Sequence, residues 1–249
     1  MSYSFNAEQV TKEVVEWVRD LFEKTATPQT KAVIGISGGK DSSVAAAVCV
    51  KALGKDRVIG VLMPQGEQAD ISYSHLLVNT LGIKSYTINI GETVSAFMDE
   101  LKKHMEPSNQ AVVNTPARVR MTTLYAVAAC HNGRVVNTCN LSEDWVGYST
   151  KFGDAAGDFS PLSDLTVTEV LQVGEYLGLP NELVHKVPID GLCGKTDEEN
   201  LGFTYAMLDK YIRGEDDLSS VPEIREKIDR MHRANLHKLQ LMPKYEQKK

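Results

Sequence analysis

The stretch Lys31-Ala-Val-Ile-Gly-Ile36, followed directly by Ser37-Gly-Gly-Lys-Asp-Ser-Ser43, decides the fold. Its first six residues form a short apolar run that is typical of a buried strand. After the glycines, residues 44–53 are rich in Ala and Val, and Gly54 closes this run as glycine often closes a helix. The order therefore predicts a strand, a glycine loop and a helix.

The glycine loop is suited to an anionic ligand. Gly38 and Gly39 let backbone N–H groups approach a phosphate, and the following helix directs its partial positive charge to the same point. The GxxxxGK[ST] spacing of a Walker A loop is absent from the chain. Asp41 offers a carboxylate oxygen to Mg²⁺, and the hydroxyls of Ser37 and Ser42 are placed to support phosphates.

The rest of the chain continues the alternation of strands and helices. Further strands are predicted at 57–63, 84–90 and 134–138, and further helices at 7–24, 71–81, 93–104, 116–129, 166–177 and 222–235. This alternation predicts an α/β fold in which helices cover both faces of a parallel sheet. With 249 residues, 42% of them apolar, we expect one domain over 1–249.

Composition excludes several classes of protein. A net charge of −6 argues against bulk nucleic acid as the main partner. The longest apolar stretch, 124–130, is far shorter than the roughly 20 residues that span a bilayer, so we expect neither a secretion signal nor an anchor. Cysteines without CxxC or metal-type spacing predict reduced thiols in a cytoplasmic protein; they are Cys49, Cys130, Cys139 and Cys193.

The loop Ser37-Gly-Gly-Lys-Asp-Ser42 resembles the SGGxDS pyrophosphate loop of the N-type ATP pyrophosphatases. That resemblance implies a Rossmann-like fold of the adenine nucleotide alpha hydrolase type and the conversion of ATP to AMP and pyrophosphate. The loop alone does not select the acceptor substrate. Other members, among them enzymes that thiolate tRNA, share it.

Downstream segments resemble the ammonia-dependent NAD synthetases more narrowly. Asn114-Thr-Pro-Ala-Arg118-Val-Arg-Met121 is similar to their NxxARxRM segment. Residues 137–148 are similar to GTxxxxExxxGY, with Asn137 in place of the first glycine, and residues 151–162 to KYGDxxxDxxPL. Residues 196–202 are similar to TDExxLG, and the pair at 237–238 to a C-terminal HK. The resemblance runs over nearly the whole chain.

The family resemblance implies a set of binding residues. For ATP these are Gly35, Ile36, Ser37, Gly38, Gly39, Lys40, Asp41, Ser42 and Thr138. For the dinucleotide deamido-NAD they are Arg118, Lys151, Asp158, His237 and Lys238. Asp41 and Glu143 are the implied ligands of Mg²⁺.

The implied reaction is a ligation without a covalent nucleophile. Deamido-NAD, ATP and ammonia give NAD, AMP and pyrophosphate through an acyl-adenylate, in a symmetric homodimer. About thirty residues precede the first strand, too few for a glutamine-hydrolysing domain, so ammonia is expected from solution or from a separate donor. Two alternatives stay open, a tRNA-thiolating ATP pyrophosphatase and a catalytically silent nucleotide-binding protein.

Two further positions depart from the family pattern. Val167 aligns with a lysine that reaches the ATP phosphates, and Ile189 aligns with a small hydroxyl residue. Lys40 and Lys195 are the candidates to restore the missing charge. At the C-terminal end, we expect residues 236–249 to form a mobile segment beyond the last helix, which brings its His-Lys pair over the substrate.

Overall fold

The computed structural model describes residues 3–186 and 196–247. Within them, parallel strands form one sheet in the order β3-β2-β1-β4. The strands are β1 (Lys31–Gly35), β2 (Val58–Leu62), β3 (Lys84–Thr87) and β4 (Gly133–Val136). The sequence prediction of a parallel α/β sheet is confirmed.

Helices connect and cover these strands, and a short 3₁₀ turn, Lys55–Arg57, precedes β2. The helices are α1 (Ala7–Thr25), α2 (Lys40–Leu53), α3 (Ile71–Leu81), α4 (Gly91–Lys102), α5 (Asn109–Cys130), α6 (Leu141–Val146), α7 (Val167–Tyr176), α8 (Asn181–Val184), α9 (Asp197–Leu201), α10 (Tyr205–Ile212) and α11 (Pro222–Leu239). None of the helices that the structure describes is long and apolar enough to cross a membrane.

Both faces of the central strands β1 and β2 are buried, and side chains alternate between the two faces along each strand. Ile34 and Leu62 join a core with α1, α2 and α7 on one face. Val33 and Val61 join a second core with α4 and α5 on the other face. Such two-sided burial explains why β1 and β2 read as continuous apolar runs, whereas the edge strand β3 is mostly exposed.

A third apolar cluster gathers the C-terminal helices beside α6 and the start of α7. Leu208 of α10 and Ile228 of α11 are fully buried in it, together with Val146 and Val167. The cluster fixes α10 and α11 against the short helix α6. It thereby connects the end of the chain to the carboxyl edge of the sheet.

Several predicted boundaries were wrong. Helix α5 begins at Asn109 and not at Pro116, because the Ser108 side chain caps it by accepting the Ala111 N–H at 3.2 Å. Pro116 lies inside the helix. Helix α2 begins at Lys40, directly after the glycines, and α11 continues to Leu239. The capping box at Thr166 is confirmed.

Candidate nucleotide and substrate site

Two segments meet at the carboxyl edge of the sheet where the strand order reverses. The glycine loop follows β1, and residues 137–143 follow β4, which is the neighbour of β1 on the other side from β2. In open α/β sheets, ligands bind in the crevice at such a switch point. Gly35 ends β1, and Thr138 comes two residues after β4, so both lie at this crevice.

The loop conformation requires glycine at position 38. Gly38 has a φ of 77°, and a Cβ built there would lie 2.7 Å from Tyr73 Cβ and 2.8 Å from Ser74 N. The Ser74 hydroxyl, itself buried, donates a 3.1 Å hydrogen bond to the Ile36 carbonyl. The start of α3 therefore supports the loop from behind and leaves no room for a larger residue.

Hydroxyl groups hold the two ends of the loop together. Ser37 Oγ lies 3.0 Å from Ser42 Oγ and accepts the Gly39 N–H at 3.2 Å. Gly39 precedes α2 without giving it a side-chain cap. The N-terminal end of α2 can therefore donate its backbone N–H groups to a phosphate, as the sequence indicated.

Lys40, Asp41 and Glu143, here called the charge cluster, lie together beside the loop. Lys40 Nζ is 2.9 Å from Asp41 Oδ2 and 3.9 Å from Glu143 Oε1. Asn140 joins the two acidic residues, since its Nδ2 donates to Asp41 Oδ1 at 2.8 Å and its Oδ1 accepts the Glu143 N–H at 3.0 Å. Asn140 was not among the predicted site residues, although an Asn three residues before Glu143 is a signal for a helix N-cap.

Burial makes the charges in this cluster depend on one another. Burial alone lowers the pKa of Lys40, but the Asp41 and Glu143 carboxylates outweigh it and hold that pKa above its ordinary value. Burial, followed by the nearby Asp41 carboxylate, raises the pKa of Glu143 well above its usual range. The Lys40 side chain is only 6% exposed. Two partly buried carboxylates at this edge, when both are ionised, thus need a cation.

The donor set of the charge cluster fits Mg²⁺. Asp41 and Glu143 both approach one ammonium nitrogen, so a single cation can reach both. Among residues 3–186 and 196–247, no group of three or more His, Cys, Asp or Glu side chains could hold a metal ion. Two carboxylates completed by phosphates and water are the usual magnesium arrangement in nucleotide sites.

A second region, here called the cationic cavity, encloses about 450 Å³ between α5, the loop after α6 and the end of α11. Arg118, Lys151, His237 and Lys238 line it. Arg118 Nε donates to the Lys151 carbonyl at 3.3 Å, and Lys151 Nζ donates to the His237 carbonyl at 2.6 Å. Four residues predicted for deamido-NAD are thereby brought together.

The C-terminal pair lies inside a helix, so its predicted place beyond the last helix was wrong. His237 and Lys238 belong to the last turn of α11. Lys238 Nζ donates to the carbonyls of Gly147 and Ser149 at 2.7 and 2.8 Å. A Cβ at Gly147 would lie 2.0 Å from Asn235 Cγ, so glycine there lets α11 pack closely on this loop.

Asp158, the fifth residue predicted for deamido-NAD, faces a different cavity of about 230 Å³. Its carboxylate accepts the Val135 N–H at 2.7 Å and the Tyr125 hydroxyl at 3.4 Å. Asp158 thus satisfies a backbone donor at the sheet edge, and the structure does not bring it to the cationic cavity. Lys238 lines both cavities.

Asn137, which stands where the family has glycine, has a structural role. Its Nδ2 donates to the carbonyls of Asp154 and Ala156, and its Oδ1 accepts the Cys139 N–H and the Ser160 hydroxyl. A Cβ at Gly157 would lie 2.8 Å from Asn137, so these two positions depend on each other. The Asn137 amide holds the loop that carries Asp158.

The two other positions that depart from the family pattern are Val167 and Ile189. Val167 is buried in the third apolar cluster, as an apolar side chain should be, and brings no charge to the site. Ile189 and the candidate cation Lys195 lie outside the described residues. Another side chain that the sequence analysis did not select is Tyr205, whose ring lies 5.8 Å from Lys40 Nζ.

Comparison with known proteins identifies the family of the chain. A sequence model of the family described as NAD synthase matches residues 10–248. The NH(3)-dependent NAD(+) synthetase of Methanococcus aeolicus is 40% identical over 83% of this chain and 82% of that relative. The solved NMN synthetase of Francisella tularensis superposes with a TM-score of 0.88 at 33% identity, covering 97% of this chain and 99% of its own. For the NH3-dependent NAD synthetase of Campylobacter jejuni, solved with nitrate, the TM-score is 0.77 at 25% identity, with coverage of 98% and 100%. The chain belongs to the NAD synthase family.

Proposed function

We propose that this chain amidates deamido-NAD with ammonia at the expense of ATP, giving NAD, AMP and pyrophosphate through an acyl-adenylate. One observation carries the proposal beyond family membership. Residues 140–151 bear Glu143 of the charge cluster at one end and Lys151 of the cationic cavity at the other. A nucleotide region and a cationic region on one short segment suit a reaction in which ATP must meet a second phosphate-bearing substrate.

The ATP half of the proposed site is the glycine loop with its surroundings. The N–H groups of the loop and of the start of α2, with the hydroxyls of Ser37 and Ser42, bind the phosphates. Gly35, Ile36 and Thr138 line the nucleotide at the ends of β1 and β4. Asp41 and Glu143 hold Mg²⁺, which when bound neutralises the pyrophosphate that leaves.

The dinucleotide half of the proposed site is the cationic cavity. Arg118, Lys151, His237 and Lys238 have the charge and the hydrogen-bond donors that the diphosphate of deamido-NAD requires. Each lysine ammonium now donates to backbone carbonyls, which are weaker acceptors than a phosphate oxygen. The assignment of Asp158 to the same substrate stays a prediction.

The proposed reaction requires the protein to position its substrates and to keep water away from the acyl-adenylate. The nicotinate carboxylate attacks the α-phosphorus and pyrophosphate leaves; ammonia then attacks the activated carbonyl, loses a proton, and AMP leaves. The loop and the charge cluster hold the ATP phosphates in place for the first step, while the cavity residues hold the diphosphate of the dinucleotide and so position its carboxylate. Packing of α11 over the loop after α6 excludes water from the adenylate.

Product analysis tests this proposal. With deamido-NAD, ATP and ammonia, the protein should release AMP and NAD in equal amounts, and omission of either substrate or of ammonia should stop both. Glutamine should not replace ammonia. AMP release that needs tRNA, or ATP binding without turnover, would instead favour the alternatives, which the family comparisons do not support.

Formation of NMN from nicotinic acid mononucleotide is a second candidate activity. It is favoured by the likeness to an NMN synthetase along almost the whole chain. The mononucleotide lacks the AMP half of deamido-NAD, which the cationic cavity would bind. Comparison of kcat/KM for the two substrates distinguishes the candidates: if Lys238 binds the AMP half, Lys238→Met should lower kcat/KM for deamido-NAD alone.

A cytoplasmic homodimer of one-domain protomers is our proposal for the assembled enzyme. Large apolar side chains are exposed on α1, where Trp17 is 46% exposed, and on α5, where Val112 and Tyr125 are exposed. Such side chains suit a symmetric contact, because burying them in a second copy removes apolar surface from water. Ammonia comes from solution or from a separate donor. A monomeric mass by sedimentation of active protein would contradict the dimer.

A further inference from the structure

Lys40 combines three properties that seldom occur in one lysine. It is the first residue of α2 and so lies at the helix end that faces the proposed phosphates. Its side chain is 6% exposed, and its ammonium lies between the Asp41 and Glu143 carboxylates. Lysine is almost never buried this deeply without a paired charge, and here the partners are the two proposed magnesium ligands.

The surroundings leave the ammonium a defined space. On one side Asn140 engages the other oxygen of Asp41, which orients that carboxylate towards Lys40. On another side lies the Tyr205 ring, 6% exposed and 5.8 Å from Nζ, a distance within the range of a cation–π contact. Tyr205 belongs to the same apolar cluster as Val167, so the Lys40 ammonium lies beside this cluster.

Two cations cannot share these carboxylates at low cost. A divalent ion bound to both would lie about 3–4 Å from an ammonium that kept its present contacts, and like charges that close in a buried site repel strongly. The flexible four-carbon stem of lysine allows the ammonium to move. The nearest strong anion after nucleotide binding is the phosphate group at the N-terminal end of α2.

We propose that Lys40 is a displaceable cation: its ammonium neutralises Asp41 and Glu143 in the nucleotide-free protein, competes there with a divalent ion, and turns to the ATP phosphates when the metal–nucleotide binds. The inference rests on the proposed function of the site. It assigns to Lys40 two roles in succession, and it makes metal binding dependent on nucleotide.

Binding of Mn²⁺ to the nucleotide-free protein, followed by electron paramagnetic resonance, tests the first role. Lys40→Gln removes the competing charge while keeping a polar side chain of similar length, so its affinity for Mn²⁺ should rise about tenfold or more. Lys84→Gln is the matched control, because it removes a lysine that also lies over a tyrosine ring but at the start of β3. Equal Mn²⁺ affinities in wild type and Lys40→Gln would overturn the inference.

Affinity for ATP at a Mg²⁺ concentration that fills the metal site in both wild type and variant tests the second role, because the ammonium leaves the carboxylates only when the metal binds. Lys40→Gln should bind ATP about tenfold more weakly, since one charge-assisted hydrogen bond to phosphate is lost. If this variant does not fold, wild-type protein labelled with ¹³C at lysine Cε gives the answer, with Lys40 assigned through Lys40→Arg. The Lys40 resonance should shift on addition of Mg–ATP while that of Lys84 should not, and an unshifted Lys40 resonance would overturn the proposal.

These readouts do not depend on turnover. A protein that forms no NAD but shows the predicted Mn²⁺ difference refutes the ligase assignment alone. A protein that forms NAD while Lys40→Gln leaves Mn²⁺ affinity unchanged refutes the Lys40 inference alone.

Discussion

The nucleotide region and the cationic cavity are built in opposite ways. The glycine loop and the start of α2 are one continuous stretch, and the loop hydroxyls, the Gly38 turn and the support from Ser74 fix its backbone. The cavity instead draws Arg118, Lys151 and Lys238 from three distant segments. The first region is preorganised by local sequence, whereas the second exists only when α11 is packed on the loop after α6.

This contrast predicts different sensitivities to change. Substitutions in the nucleotide region should abolish chemistry or strain the backbone, while those in the cavity should weaken one substrate and leave ATP binding intact. Four experiments test this difference.

Asp41→Asn should have the largest effect. The variant keeps the size of the side chain but loses a metal ligand and the partner of Lys40, so turnover should fall about 10²–10³-fold, the loss typical of a removed electrostatic stabiliser. AMP release at saturating ATP measures it, with circular dichroism to verify the fold. Asp56→Asn, a change at an exposed residue of the 3₁₀ turn, serves as the control. Near-normal turnover at saturating Mg²⁺ would remove Asp41 from the metal site.

Gly38→Ala should destabilise the protein and weaken ATP binding together. Gly178→Ala is the matched control, because Gly178 also has a positive φ, 72°, but an added Cβ meets nothing within 4 Å. Backbone strain should lower the free energy of unfolding of the control variant by about 1 kcal/mol. In Gly38→Ala the clash with Tyr73 and Ser74 should lower it by about a further 1–3 kcal/mol. Urea unfolding gives both values. An equal decrease in the free energy of unfolding of both variants would mean that α3 does not restrict the space around Gly38.

Removal of residues from Leu236 onward should reduce amide formation more than ATP binding. The truncation deletes Lys238 and the His237 carbonyl that holds Lys151, so kcat/KM for deamido-NAD should fall about tenfold or more, as expected for lost hydrogen bonds to charged groups. The dissociation constant for ATP should stay within about twofold. A truncation at Lys244 provides the control. Parallel losses in both measurements, or none in either, would show that the end of α11 does not serve the substrate.

Sequence alone could predict the strand, the glycine loop and the helix of the proposed nucleotide region. The strand, glycines and helix are adjacent in the chain, and the chemistry of Ser37, Gly38 and Asp41 is visible in their order. The approach of Glu143 to Asp41 was available only through the family resemblance, because it depends on which strand lies beside β1. That neighbour is β4, the last strand in the chain.

The parts that sequence did not predict depend on tertiary contacts. Pro116 suggested a helix start, but the Ser108 cap and packing carry α5 through it. The last helix was predicted to end at residue 235, yet it continues to Leu239, where Asn235 and Lys238 donate hydrogen bonds to the carbonyls of Val146 and Gly147. The family resemblance implies that Asp158 binds deamido-NAD. In the structure its carboxylate accepts the Val135 N–H at the edge of the sheet, a contact that the sequence does not reveal.

The smallest expected effect concerns the pH dependence of stability at Asp144, which lies in the segment that joins the two regions. Burial, and then the nearby Asp154 carboxylate, raise the pKa of Asp144 from 3.8 to about 6. The folded protein therefore holds this proton more tightly than the unfolded chain does. The associated stability is present at low pH and is lost as the pH rises from the unfolded value towards 6.

Asp144→Asn cannot ionise, so it should escape this loss. Its free energy of unfolding should equal that of wild type near about pH 4 and exceed it by about 1 kcal/mol near about pH 7.5, a value reduced from the full pKa shift because Asp144 keeps some solvent contact. Urea unfolding across this range measures the difference. Asp99→Asn, on the exposed face of α4, makes the same change in net charge, and its effect should not vary in this way with pH. A stability difference between Asp144→Asn and wild type that is constant with pH would mean that Asp144 has the same pKa in the folded and the unfolded protein, so that folding does not disfavour its carboxylate.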